Sequence, residues 1–193
     1  MRPLGKNKTR FTENIVRLNG LDFGGWVFKD GMRFGSAGKW WGGTGVRGRR
    51  HNGLDVRYHK GRGGEKTLFF TLPEGTKIPL IYPGRVVKLL PDFLAWSIFV
   101  ETEEKNGTAG GKRPIIAYGH LEPAAGLKKS ASGPPLAEGA VIGAIRKTKN
   151  SPVPAHLHIS IALVPEEIAV ENLSWKVLDE TPGVVFLDPE RVL

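Results

Sequence analysis

Cysteine is absent from the 193-residue chain. That single absence removes disulfide frameworks, thiolate zinc fingers, iron–sulfur clusters and thiol nucleophiles together, so any metal site must be built from His, Asp or Glu. Long apolar runs are missing as well. The most hydrophobic stretch, Leu89 to Val100, is broken by Pro91 and Asp92 and falls far short of the ~20 residues that a membrane-spanning helix needs. Met1 to Phe11 is basic but lacks the apolar segment of roughly 7–15 residues found in a secretory signal, so no export signal is visible. Heptads and internal repeats are lacking too, and with 26 Gly and 14 Pro the chain favours turns and short strands over long helical bundles. What remains is 40% apolar residues, including nine Phe, five Trp and three Tyr, enough for one sizeable core.

Charge is unevenly spread. Residues 1–63 carry 14 Lys and Arg against 4 Asp and Glu, a net of +10, while residues 64–193 carry 14 against 15. Arg47, Arg49 and Arg50 stand directly before His51, so this end is expected to attract a polyanion, an anionic wall polymer being one class, or else to act as a solvated, solubilising face. A nucleic-acid partner is not expected, because no ordered RNA- or DNA-binding motif is present and the aromatics do not interleave with the arginines as a stacking platform would require.

The patterning is that of an all-β, mostly antiparallel protein. Strands are expected at about residues 14–18, 25–29, 67–71, 78–80, 85–89, 96–101, 114–120, 140–145 and 156–163, with loops at 106–112 and 128–135 and an ambiguous stretch at 165–178. The chain is expected to divide into a basic, irregular N-terminal extension, residues 1–44, packed on the main body formed by residues 45–193.

The chain has five histidines: His51, His59, His120, His156 and His158. The segment from His156 to Leu163 alternates, with Leu157, Ile159, Ile161 and Leu163 on one face and His156, His158, Ser160 and Ala162 on the other. One face builds core and the other faces a cleft. At ~3.4 Å per residue the two histidine Cα atoms lie about 7 Å apart, near enough for both rings to serve one metal or for one to support the other. His51-Asn52-Gly53-Leu54-Asp55 adds an imidazole and a carboxylate four positions apart, with Gly53 allowing a tight backbone between them. Two His and one carboxylate leave a fourth position on zinc open, which is the habit of catalytic rather than structural sites. A water held there ionises near pH ~7. The helical H-E-x-x-H pattern is absent, so a proton acceptor must come from elsewhere. His59 reads as a loop residue beside the site, and Trp40 and Trp41 either line the groove or act as core or lid aromatics.

Several motifs in order resemble the lysostaphin-type (LytM-like) zinc metallopeptidases, which cut peptide cross-links of bacterial peptidoglycan. They are His51-Asn52-Gly53-Leu54-Asp55, Pro73-Glu74-Gly75-Thr76 with Ile81 to Val87, Tyr118-Gly119-His120-Leu121, Glu138 to Gly143, His156-Leu157-His158 and Phe186-Leu187-Asp188-Pro189. Each is short, but the ordered set is far more specific than any member. It spans about residues 45–193. The resemblance implies a β-rich fold of the lysostaphin, or duplicated-hybrid, type with long loops around a metal cleft. It implies that His51, Asp55 and His158 bind Zn2+ while His120 and His156 stay off the metal and act on the water and the substrate carbonyl. The implied activity is a zinc-dependent endopeptidase hydrolysing peptidoglycan cross-links through a zinc-activated water, in an extracytoplasmic setting. The alternative is a non-catalytic or latent wall-binding or regulatory module of the same fold. Two stretches depart from the family pattern: Arg57 to Phe70 is longer and more basic, and residues 150–155 replace a glycine-rich turn before the last histidine pair.

Overall fold

The computed structural model describes residues 9–43, 45–63, 68–103, 111–127, 133–147 and 151–193. The expected loops at 106–112 and 128–135 lie largely outside these residues, as do Thr67 at the start of an expected strand and Asn150 in the turn before His156.

The fold is β-rich and antiparallel. Strands β1 (Gly25–Val27), β3 (Tyr58–Lys60) and β4 (Phe69–Thr71) form a small sheet in the order β1-β3-β4. A larger sheet runs β11-β10-β8-β7-β6, from β6 (Gly84–Pro91), β7 (Trp96–Thr102), β8 (Lys112–Pro123), β10 (Leu157–Pro165) and β11 (Val185–Leu187). Onto it are joined β2 (Leu54–Val56), paired with β10, and β9 (Val141–Ile145), paired with β8 and with β5 (Lys77–Pro79). Eight of the expected strands are present with shifted ends, and β2, β3 and β11 were not foreseen. Three residues each, they are too short to show a period.

Residues 14–18, expected as a strand, instead lie in helix α1 (Phe11–Asn19). Phe11, Asn14 and Ile15 are its buried residues, spaced i, i+3 and i+4 on one helical stripe, whereas a strand would have sent the neighbours Asn14 and Ile15 to opposite faces. The helix ends because Gly20 adopts φ 60°, letting Leu21 N–H reach the Val16 carbonyl, a left-handed cap that costs a residue without Cβ nothing. The Asn19 side chain then exchanges hydrogen bonds with the Lys77 backbone, donating to its carbonyl at 2.9 Å and accepting from its N–H at 2.8 Å, and so seats α1 on β5. The first forty residues are therefore not irregular throughout.

Strand β10 is central and buried on both faces. Leu157, Ile159 and Ile161 join the main core with Tyr118, Ile116 and Ile98. On the reverse face, where the alternation suggested an open cleft along the whole strand, Ala162 and Val164 are covered with Phe99 and Ile115 by Leu173 and Leu178. These come from the ambiguous stretch, which forms a 3-10 turn at Val170–Asn172 and helix α2 (Trp175–Glu180), N-capped by the Ser174 hydroxyl. Only the His156 end of that face is left for chemistry. His59, expected in a loop, is buried in β3 between Phe23 and Phe70, with ring centroids at 5.8 and 5.5 Å.

Candidate metal centre

Antiparallel pairing brings two of the histidine-motif residues together. In the register of β10 and β2, His158 stands opposite Asp55, so both side chains leave the same face of the ladder. Gly53 then turns the chain back toward β10. A Cβ there would fall 2.3 Å from the Ile159 carbonyl oxygen and 2.7 Å from the His158 ring, closer than any side chain tolerates, so only glycine lets His51 come round. On the other flank Gly119 of β8 faces His158.

The result is a convergence of three donors. His158 Nδ1 lies 2.8 Å from Asp55 Oδ1 and 3.2 Å from His51 Nε2, and His51 Nε2 lies 3.3 Å from Asp55 Oδ1. Zinc bonds of about 2.0–2.1 Å in a tetrahedron put neighbouring ligand atoms about 3.3 Å apart. These three atoms form such a face, and they fit the ion on chemistry as well as on distance. His51 Nδ1 is 3.1 Å from the Arg33 carbonyl, which can only accept, so the proton sits on Nδ1 and the Nε2 lone pair points inward. His158 Nε2 lies 2.9 Å from Ser160 Oγ, whose hydroxyl points on toward Asn52 Oδ1 at 3.4 Å, so Nε2 donates and Nδ1 offers its lone pair. Burial pushes the His158 imidazole down to about 4 against the pull of Asp55, so at neutral pH it is an uncharged donor. Burial works against ionisation of Asp55, but the rings of His156, His158 and His51 outweigh it and hold the carboxyl well below its usual range.

His156 and His120 stand beside this face. His156 Nδ1 donates to the Pro154 carbonyl at 2.7 Å, leaving Nε2 as an acceptor 3.5 Å from Asp55 Oδ1, yet it is not part of the three-donor cluster. Its loop is held in turn by Arg57, which donates to the Ala155 carbonyl. The His120 ring packs edge to face on His156 with centroids 4.6 Å apart. Its backbone has φ 69°, the left-handed region that a side chain enters at a cost of about 1–3 kcal/mol. Asp92 holds it there, accepting the His120 backbone N–H at Oδ2 over 2.9 Å while Oδ1 sits 3.2 Å from His120 Nδ1. A cleft of about 380 Å³ opens over these groups.

Four contributing residues carried no site signal in the sequence or only an ambiguous one. Trp40 donates its indole N–H to Asp55 Oδ2 at 2.6 Å, and Arg47 approaches the same oxygen at 3.4 Å. Oδ2 is thereby occupied and Oδ1 alone is turned to the centre. Burial lowers the Arg47 guanidinium, and Asp55 opposes that shift. Trp40 also packs edge to face on His156 and so backs the site, while Trp41 lines the cleft itself. Asp92 and Trp175 meet through Ser97: the Trp175 indole donates to Ser97 Oγ and the hydroxyl donates to Asp92 Oδ2, both at 2.8 Å. The Pro91-Asp92 pair signalled a turn, and Asp92 does cap it, accepting from Leu94 and Ala95. Nothing in the sequence connected it with a histidine 28 residues away.

Two expected results follow from these contacts. Trp40→Phe keeps the ring and deletes one donor to Asp55, and competition with a chromogenic chelator should show zinc affinity weakened by about 10–100-fold, the usual effect of losing an outer partner of a ligand. Asp92 is the second case. Burial opposes its charge, but the His120 ring and the backbone N–H groups of Ala95 and His120 hold its carboxyl below the normal range. A carboxylate depressed on folding stabilises the protein above its unfolded value of ~3.9, and that stabilisation drains away as pH falls below it. Urea unfolding from pH 5 downward should therefore show the wild type losing stability more steeply than Asp92→Asn.

Fold and site together define a β-rich scaffold bearing a cluster of two imidazoles and one carboxylate that could hold a metal ion, beneath an open cleft. No protein-family profile matches the chain, and no curated protein matches it. Among solved structures, that of LytU is similar at 17% identity over 73% of this chain and 94% of that one, with a TM-score of 0.39. A variant of the catalytic domain of the prophage-encoded M23 protein EnpA from Enterococcus faecalis is similar at 17% identity over 75% and 95%, with a TM-score of 0.41. A protein described as a peptidase M23 from Pseudomonas aeruginosa is similar at 18% identity over 79% and 53%, with a TM-score of 0.37. Among the described residues no helix is long and apolar enough to cross a membrane.

Proposed function

We propose that the protein is a zinc metallopeptidase that hydrolyses a peptide bond in bacterial peptidoglycan. The observation that carries the reading is the face made by His51 Nε2, Asp55 Oδ1 and His158 Nδ1, with both imidazoles locked in the tautomer that turns a lone pair inward. Zinc held by these three supplies Lewis acidity and lowers the pKa of a water in the open position. The remaining chemistry belongs to the chain. His156, fixed by the Pro154 carbonyl with Nε2 free to accept, takes the proton of the attacking water and returns it to the leaving amine. His120, with Nδ1 turned to Asp92, presents its opposite edge to the cleft, where it steadies charge developing on the carbonyl oxygen. Phe93 and Trp175 wall the cleft, excluding water and strengthening these contacts.

The choice of a wall peptide rests on the ordered motifs that resemble the lysostaphin-type enzymes. The basic face of residues 1–63 adds an attraction for anionic wall polymers, although Arg33, Arg47 and Arg49 are already paired with Glu190, Asp55 and Glu180. An activity of this kind places the protein outside the cytoplasm, where its substrate is. The test is release of new amino termini from purified peptidoglycan, followed with zinc, after removal of zinc by a chelator, and after its return. Release that stops and resumes with the metal supports the reading. Binding to the wall without any release would instead leave a non-catalytic wall-binding module.

A further inference from the structure

We propose that Arg50 reads a carboxylate on the substrate, so that the peptide entering this cleft carries a free carboxyl group close to the bond it presents to His156 and His120. The proposal deepens the peptidase reading and rests on it for the use of the cleft, but its content is a binding preference measurable without turnover.

The argument begins with which charges in the cleft remain available. Each acid that lines it, among the described residues, has at least one partner within the protein. Asp55 is held by the histidine cluster, Trp40 and Arg47. Asp92 takes donors from His120, Leu94, Ala95 and Ser97, and Asp179 accepts the Asn52 amide at 2.7 Å. The cations of the same wall differ among themselves. The Arg47 guanidinium donates to the Gly31 and Gly38 carbonyls as well as approaching Asp55, and stacks on Trp41 at 4.6 Å. Arg49 bridges to α2, meeting Glu180 at 3.2 Å and the Asp179 carbonyl at 3.1 Å. Arg50 is exposed on the lip of the cleft, and among the described residues it forms no salt bridge; its one hydrogen bond is from Nη1 to the Gly35 carbonyl at 3.0 Å.

That bond fixes the side chain without using up its charge. The turn that supplies it is tied to the metal segment from both sides, Gly35 N–H donating to the His51 carbonyl at 2.8 Å and His51 N–H to the Ser36 carbonyl at 2.9 Å. Arg50 is therefore anchored one residue from a proposed zinc ligand, with most of its planar fork unpaired. Such a fork matches a carboxylate in two-bond geometry and loses little freedom on binding, because the stem is already held. A neutral peptide group would gain far less from it. Among the described residues that line the cleft, Arg47 and Arg49 are ion-paired and Asp55 and Asp92 are held by their partners, while Asp179 keeps its charge under the Asn52 amide, so Arg50 is the cation left for an incoming anion.

The test uses the full chain carrying His156→Ala, in which cleavage is expected to be slowed by about 10²–10⁴, loaded with zinc. Calorimetric titration compares a synthetic wall stem peptide with two derivatives, one amidated only at its terminal carboxyl and the other only at its internal glutamyl carboxyl. One derivative is expected to bind at least about tenfold more weakly than the parent, and which one it is identifies the carboxylate that is read. Adding Arg50→Gln should reduce parent binding to the level of that derivative and abolish the discrimination, while Arg50→Lys recovers part of it. Because Arg50 is exposed, the thermal midpoint should be unchanged in both. Equal affinity for all three peptides, no binding of any, or discrimination that survives Arg50→Gln overturns the proposal. Its failure is separable from failure of the peptidase reading: wall hydrolysis by the unmodified chain with equal affinities sinks only the Arg50 assignment, whereas discrimination without hydrolysis sinks only the peptidase.

Discussion

His158→Ala is expected to empty the metal site and reduce hydrolysis by more than about 10³-fold. The variant removes one of three donors from a face whose edges are 2.8–3.3 Å, and two donors do not hold zinc against water and buffer. The loss should exceed the 10–100-fold typical of an outer partner such as Trp40. Metal analysis of dialysed protein checks it: about one zinc per chain in the wild type and almost none in the variant. His51→Ala should behave alike, and because its ring lies on a turn rather than in the central strand, it serves as the control for folding. Full zinc retention in both variants would mean that the metal lies elsewhere.

His156→Ala should separate binding from chemistry. Its Nε2 faces Asp55 Oδ1 at 3.5 Å but does not belong to the donor cluster, so the variant should keep its zinc. Removing the proposed proton acceptor should nevertheless cost about 10²–10⁴ in kcat, with little change in KM, since the proposed role is exerted on the water and not on the peptide's remote contacts. Normal turnover would refute the role, and loss of zinc would make His156 a fourth ligand. Asp92→Asn provides a useful comparison, since it disturbs His120 while leaving both His156 and the three donors in place.

Much of this centre could be read along the chain because its parts sit on short, local patterns. The alternation around His158 identified which side chains leave one face of β10, and the spacing from His51 to Asp55 announced a turn that only Gly53 permits. Local patterns also marked the strands that run long enough to show a period. The same reasoning failed at α1, where Ile15, Val16 and Leu18 looked like a strand. The Gly20 cap was the helical signal, but the docking of Asn19 on β5 that stabilises the helix is a contact 58 residues away.

Residue identities and spacings by themselves determined that no cysteine chemistry is possible in this sequence, that it is β-rich, and that His51, Asp55 and the pair His156 and His158 were the donors to examine; the preference for His158 over His156 came from the resemblance to the lysostaphin-type enzymes. Tertiary structure alone decided which nitrogen of each ring faces inward, because that depends on acceptors supplied by Arg33, Ser160 and Pro154. It alone recruited Trp40 and Arg47 to Asp55 and Asp92 to His120. Patterns record which face a side chain leaves from, since that follows from backbone periodicity. They do not record which distant segment arrives to meet it, because such a meeting is set by the packing of whole strands and loops.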